Sequence, residues 1–233
     1  MWRNRLTQWR PPGQCEVCRA WCRGGLCDDC SNRFAAPRER CRRCALGVAA
    51  ALCGECLREP PPFERAVCAV DYAFPWDGLI SGFKFHDRTE LAPLLALHLE
   101  LALRQSAVAA GEAAPDLVLP MPLHAARLAE RGYNQAWEIA RRLAAAFSRP
   151  AEADLLQRPL AGSAQASLSR TERLAHLRGA FMVDPRRRAL LAGRRVALVD
   201  DVLTTGATAR EACATLLRAG AASVQVWVVA RTP

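Results

Sequence analysis

The stretch that most constrains this chain is Val196-Ala197-Leu198-Val199-Asp200-Asp201-Val202-Leu203-Thr204-Thr205-Gly206-Ala207-Thr208. Four apolar residues in a row, without the polar alternation of a half-exposed strand, predict a strand buried on both faces of a parallel sheet. Two adjacent carboxylates then fall at its carboxyl end, expected to be a solvent-accessible sheet edge, where open α/β sheets bind their ligands. The Thr-rich turn bends the chain into a helix expected over about 205–219. Its hydroxyls and unpaired N–H groups lie at the positive end of the helix dipole. Two acids beside an anion cradle suit a ligand with hydroxyls or a cation at one end and a phosphate at the other, such as a ribose 5-phosphate with Mg²⁺. An ordinary strand, N-cap and helix would use some of the same residue types, because Asp and Thr also cap helices. The stretch is neither a P-loop, since no Gly-Lys-Ser/Thr follows, nor a G-x-G-x-x-G dinucleotide turn.

This order of apolar run, two acids, hydrophobic pair and Thr-Thr-Gly-x-Thr resembles the signature of type I phosphoribosyltransferases. The resemblance implies that Asp200 and Asp201 hold the ribose 2- and 3-hydroxyls of phosphoribosyl pyrophosphate (PRPP). Val202 and Leu203 lead into the loop, and Thr204, Thr205, Gly206, Ala207 and Thr208 hold its 5-phosphate.

The second strong pattern is at the other end of the chain. Cys15-x2-Cys18, Cys27-x2-Cys30, Cys41-x2-Cys44 and Cys53-x2-Cys56 form four knuckles, and the second two repeat the first two at an offset of 26 residues. Two C-x2-C pairs complete the tetrahedral sulfur shell of structural zinc, so eight thiolates predict two closed Zn²⁺ sites with no open position for catalysis. Such ions supply folding free energy to a segment too small to build its own core. Sequential pairing (Cys15, Cys18, Cys27, Cys30 and Cys41, Cys44, Cys53, Cys56) is the simplest, and interleaved pairing also satisfies the count. A redox role for a single C-x-x-C is outweighed by four copies in register. Cys22, Cys68 and Cys213 fall outside the repeat and read as ordinary small residues.

With 233 residues and 51% hydrophobic content, the chain can bury one good core plus a small appendage. A double zinc ribbon is expected over 1–60 and an α/β domain over 63–233, with Pro60-Pro61-Pro62 as a stiff linker between them. The net charge is +9, yet Lys84 is the only lysine among 32 basic residues. Arginine bias of that kind, beside so much alanine, points to genome composition more than to nucleic-acid binding. Lys84 reads either as a place that needs a compact ammonium or as a chance survivor. Met1 to Pro12 lacks the pattern of a signal peptide, and the apolar run 91–103 is too short to span a bilayer. A soluble, cytoplasmic protein without membrane insertion is therefore expected, and a reducing cytosol favours metal over disulfides for its cysteines. In the first 60 residues Trp2, Trp9, Trp21 and Phe34 interleave with arginines, a composition that suits single-stranded nucleic acid or simply a solvated ribbon with a tiny core.

Between these ends the sequence predicts strands at Ala66–Phe74, Asp116–Pro120, Ala153–Leu156, Ala180–Val183 and Ser223–Ala230. Helices are expected at Trp76–Phe85, over 89–110 and from Gln135 to about Phe147. His98 reads as a packing residue. The strand ending at Pro120 runs into Pro122, Leu123 and His124 and then Arg127 and Arg131, at the same sheet edge as Asp200. Arginine forks there match paired phosphate oxygens, although an exposed i, i+4 pair is the plainer reading. The polar segment Gln157–Gly179, with Arg158, Arg170 and Arg173, reads as a lid or a surface loop.

The full set is similar to the ComF family of competence-associated, phosphoribosyltransferase-like proteins. It comprises the cysteine-rich start, Pro120-x-Pro122-Leu123-His124, Arg127-Leu128-x2-Arg131-Gly132-Tyr133-Asn134-Gln135, Gln165-Ala166-x-Leu168-x4-Arg173, Gly179-Ala180-Phe181 and the diacid loop. The resemblance implies a type I phosphoribosyltransferase fold, a Mg²⁺–PRPP site and a link to DNA uptake. On that reading Asp200, Asp201, Arg127 and Arg131 carry displacement of pyrophosphate, with Pro122, Leu123, Lys84 and Arg173 also lining the PRPP site. The alternative is a non-catalytic adaptor that docks single-stranded DNA or a helicase partner and keeps PRPP as a structural or sensory ligand.

Overall fold

A computed structural model describes residues 12–110, 114–159 and 179–233, with side chains to 106 in the first segment. Strands β1 (Pro12–Gln14) and β2 (Trp21–Arg23) pair antiparallel, followed by helices α1 (Asp28–Phe34) and α2 (Gly54–Arg58). Next come β3 (Arg65–Asp71), α3 (Trp76–Phe85), α4 (Ala92–Ala110) and β4 (Leu117–Pro120). Helices α5 (Ala125–Arg131) and α6 (Gln135–Ala146) lead to the short strands β5 (Leu156–Gln157) and β6 (Met182–Val183). The chain closes with β7 (Arg195–Leu203), α7 (Ala207–Arg218) and β8 (Ser223–Arg231).

The main sheet has the order β3-β8-β7-β4 and is parallel throughout. Its strands are apolar on both sides because helices cover both. On one face Val67, Val118, Ala197, Val199 and Val229 pack against Trp76, Ile80 and Phe83 of α3, Leu95 and Leu99 of α4, and Ile139 and Leu143 of α6. On the other, Ala66, Leu119, Leu198, Val226 and Val228 meet Ala212, Cys213 and Leu216 of α7. The unbroken apolar run that announced β7 thus reflects double burial.

Several expected boundaries shift. The strand read over Ala153–Leu156 is not a main-sheet strand: among the described residues the sheet is extended past β4 only by a bridge from Val118 to Ala151. Leu156–Gln157 pairs instead with Met182–Val183 in a separate antiparallel ribbon, anchored by the Asp184 N–H donating to Leu155 O at 2.9 Å. Strand β3 stops at Asp71, where the Asp71 carboxylate takes the guanidinium groups of Arg38 and Arg40. His98 is a packing residue as expected, with its ring 4.8 Å from that of Trp76. Cys68 and Cys213 are buried small residues. No described helix is long and apolar enough to cross a membrane.

The cysteine-rich segment is tied to the sheet and its helices at several points. Cys15, Leu26 and Cys30 share a core with α3 and α4, and the Trp76 indole N–H donates to Phe34 O at 2.7 Å. Pro61, expected within an extended linker, is buried, and its carbonyl accepts from Arg43 at 3.3 Å.

Candidate functional site

Strand β7 delivers Asp200 and Asp201 to the carboxyl edge of the sheet. Both were expected at an accessible edge, but only Asp200 is partly exposed; Asp201 is 3% exposed. A carboxylate that deep requires compensation. Lys84, at the end of α3, supplies it with Nζ 2.7 Å from Asp201 Oδ1. Arginine's wider fork would not offer the same point charge to a single buried oxygen, which accounts for lysine here. The other oxygen, Oδ2, is buried and has no hydrogen-bond partner among the described residues. Asp200 Oδ1 accepts from the Asp201 N–H at 2.8 Å. Burial pushes the Asp200 carboxyl up to about 7; the neighbouring Asp201 charge adds to the rise, while Lys84 and Arg158 oppose it.

Beyond Leu203 the chain leaves the sheet. Gly206 has φ 78°, left-handed backbone that glycine adopts without a Cβ penalty, and it caps α7. Thr204 and Thr205 are exposed. Among the described residues, no protein acceptor takes the N–H groups of Thr204, Thr205 or Gly206. Ala207 and Thr208 form the first turn of α7, and the Ala207 N–H points at Thr205 Oγ1, 3.4 Å away. Free donors at a helix start make an anion-binding turn.

The turn after β4 lies alongside. The Met121 N–H donates to Val199 O at 2.7 Å, which places buried Pro122 and half-buried Leu123 next to the diacid. His124 caps α5 by accepting the Ala126 N–H, and Gly132, with φ 73°, ends it. Asn134 then caps α6 with its side-chain oxygen and donates to Met121 O at 3.1 Å, so one side chain fixes both the helix and the turn. The Tyr133 hydroxyl donates to Phe83 O, locking α3 and thereby Lys84. The Arg131–Gln135 segment is therefore chiefly a brace.

Helix α5 has no buried residue: Arg127 is exposed, and Arg131 at its end is half-buried. Arg131 lies over the Phe85 ring at 4.7 Å. Arg158, which the sequence placed only in a long polar segment, stands close enough to Asp200 to pull its carboxyl down. Burial and the charge of Arg127 both lower Arg158's own value, and Asp200 raises it. The Arg158 guanidinium lies over the Phe181 ring at 5.6 Å, a contact that local sequence does not indicate. Arg173 lies outside the described residues.

The thiols converge as Cys15, Cys18, Cys27, Cys30 and as Cys41, Cys44, Cys53, Cys56, with each set of sulfurs within 4.8 Å of one another. Pairing is therefore sequential, and each set could hold a metal ion. Burial pushes the Cys15 thiol up, but N–H groups of Cys18, Cys27 and Val17 outweigh it and bring it down to about 6. Cys41 is brought to about 7 in the same way by Cys44, Cys53 and Arg43. Backbone donors aimed at sulfur are what a thiolate shell requires.

The phosphoribosyl transferase domain model matches residues 105–233. The DNA utilization protein YhgH of Escherichia coli (strain K12) is 35% identical over 226 residues, covering 95% of this chain and 98% of the relative. Competence protein F of Haemophilus influenzae is 33% identical over 211 residues, covering 90% and 91%. The chain belongs to the ComF family. Its diacid strand and Thr-Gly turn fall within the span of the ComF chain that the phosphoribosyl transferase model matches. Among solved structures, a glutamine PRPP amidotransferase from B. subtilis aligns over 61% of this chain and 26% of that chain, at 24% identity and a TM-score of 0.38. That superposition is too distant to carry further argument.

Proposed function

We propose that this chain is a PRPP-binding, phosphoribosyltransferase-like protein that acts in the handling of DNA. The observation that carries the reading is the diacid, its buried Asp201 compensated by Lys84, directly ahead of a Thr-Gly turn in which the N–H groups of Thr204, Thr205 and Gly206 have no acceptor among the described residues. Asp200 and Asp201 would accept the ribose 2- and 3-hydroxyls, and Asp201 Oδ2 still has its capacity to accept. Thr204 to Thr208 would hold the 5-phosphate. The turn at Pro122-Leu123 would face the pyrophosphate, with Arg127, Arg131, Arg158 and, from outside the described residues, Arg173 as sources of positive charge.

Mg²⁺ would neutralise the pyrophosphate when PRPP binds. The chain's own part in transfer is to fix the ribose by two carboxylates and a phosphate grip, which restricts C1 and its leaving group to one attack geometry. Positive charge near the departing pyrophosphate then stabilises an oxocarbenium-like state. Incubating the protein with Mg²⁺–PRPP and candidate acceptors, and measuring pyrophosphate release, separates turnover from binding alone.

The DNA connection rests on the names of the relatives and on a cleft of about 1120 Å³ between the cysteine-rich segment, α4 and the outer edge of β3. Arg38, Arg40, Arg42, Arg43, Arg65 and Arg195 line it against a single acid, Glu64. Asp71 engages Arg38 and Arg40, and Asp116 engages Arg195; exposed Arg42 faces a strand of phosphates, beside half-buried Arg43, which also donates to Pro61 O. This favours the adaptor reading as a second role, with a helicase as an additional candidate partner. Arg42→Glu with Arg43→Glu should cut single-stranded DNA affinity severalfold and reduce its salt dependence; unchanged affinity would remove the cleft from consideration. The two thiolate shells would hold Zn²⁺ and fit a reducing, cytoplasmic setting. The proposed division into a ribbon over 1–60 and a PRPP domain over 63–233 is one of function, since the two parts share a core.

A further inference from the structure

The two thiolate clusters brace different parts of the molecule. Cys15 and Cys30 pack in the core with α3 and α4. The second cluster instead sits behind the Thr204–Gly206 turn: Cys44 and Cys56 border a small hollow with Leu203, Thr205, Gly206, Arg210 and Arg231.

Arg231 joins the two sides. It is 8% exposed at the end of β8, beside Leu203 in the strand register. Its Nε donates to Cys44 O at 3.1 Å and its Nη1 to Leu203 O at 3.1 Å. One planar guanidinium thus bonds the backbone of a thiolate knuckle and the last backbone carbonyl before the turn. A second tie runs parallel to it: Arg210, in the first turns of α7, donates to Glu59 O at 3.0 Å, just past the helix that carries Cys56. Arginine suits this position because its fork holds two acceptors in fixed relation, which a lysine cannot do.

We propose that Arg231 is a positioning residue that couples metal occupancy of the Cys41, Cys44, Cys53, Cys56 cluster to the grip of the Thr204–Thr208 turn on phosphate. The proposal rests on the reading of that turn as a phosphate site. A filled thiolate shell fixes the Cys44 carbonyl; the guanidinium carries that position to Leu203, and the turn is held ready for an anion. Coupling is reciprocal, so PRPP must in turn retain the metal of this cluster. The first cluster, which does not border the turn, provides an internal reference.

The test uses the full chain loaded with zinc. Release of zinc to a chelating indicator is followed with and without Mg²⁺–PRPP, and PRPP affinity is measured calorimetrically for the wild type, Arg231→Lys and Arg231→Met. Expected results are PRPP slowing release of one of two zinc ions severalfold in the wild type, and an affinity loss of roughly fivefold or more in Arg231→Met with both ions retained. Arg231→Lys, which keeps the charge but not the fork, should fall between, and it carries the test if the Met variant does not fold. If the wild type binds PRPP and both variants bind it equally well, or if PRPP leaves zinc release unchanged, the coupling is wrong while the phosphate site stands. A wild-type chain that does not bind PRPP overturns both.

Discussion

The ammonium of Lys84 lies 2.7 Å from Oδ1 of Asp201, joining the end of α3 to the carboxyl end of β7 beneath the Thr-rich turn. The Asp201 side chain is nearly fully buried and that of Lys84 is 19% exposed, so neither partner is well hydrated if the other is removed. Breaking such a pair from one side costs about 3 kcal/mol, because an uncompensated charge remains inside. Lys84→Met should therefore lower stability by that order in chemical denaturation. Adding Asp201→Asn should restore part of the loss. Strict additivity of the two changes would show that the pair is not an energetic unit.

A pH dependence follows from Asp200. Burial, helped by Asp201, holds its folded value near 7, well above the ordinary 3.8. The folded state thus prefers the protonated group. The stability this group contributes is fully present below about pH 4 and is lost as the pH rises through about 7. Ligand affinity should run the other way, since ribose hydroxyls need an ionised acceptor. PRPP affinity should rise between about pH 6 and pH 8, and Asp200→Asn should flatten that rise. A wild-type profile already flat across this range would contradict the assignment.

Metal analysis of the purified chain should give two zinc ions, because the sulfurs converge in two sets of four. Cys53→Ser should lower the count toward one, while Cys22→Ser should leave it at two. An equal loss in both variants would mean that the clusters do not act as closed shells.

The sequence made β7 and its acids legible because double burial removes alternation, and α3 because Trp76 to Phe85 runs apolar at helical spacing. The cysteine offset likewise forecast two four-sulfur sites. Three things were not legible. Pairing of the knuckles depended on which loops fold back on each other. The depth of Asp201 depended on α3 arriving with Lys84, 117 positions away by sequence number, a contact that local pattern does not encode. Arg158, just past β5, meets the Phe181 ring beside β6, an approach that depends on the β5–β6 pairing and not on local pattern. The same packing changes how nucleic-acid binding is tested. Removing residues before Pro60 would strip Cys15, Leu26 and Cys30 from a shared core, so point substitutions in the arginine cleft are the cleaner probe.

Asp200, Asp201 and the Thr-Gly turn together make up the proposed PRPP site. Calorimetric titration of Mg²⁺–PRPP into the wild type and into Asp200→Asn with Asp201→Asn tests it most directly, with near-native folding of the variant checked by circular dichroism. Each charge-assisted hydrogen bond lost is worth roughly 1.5–3 kcal/mol, so the double variant should bind at least about tenfold more weakly. Equal affinity in the two proteins would contradict the account.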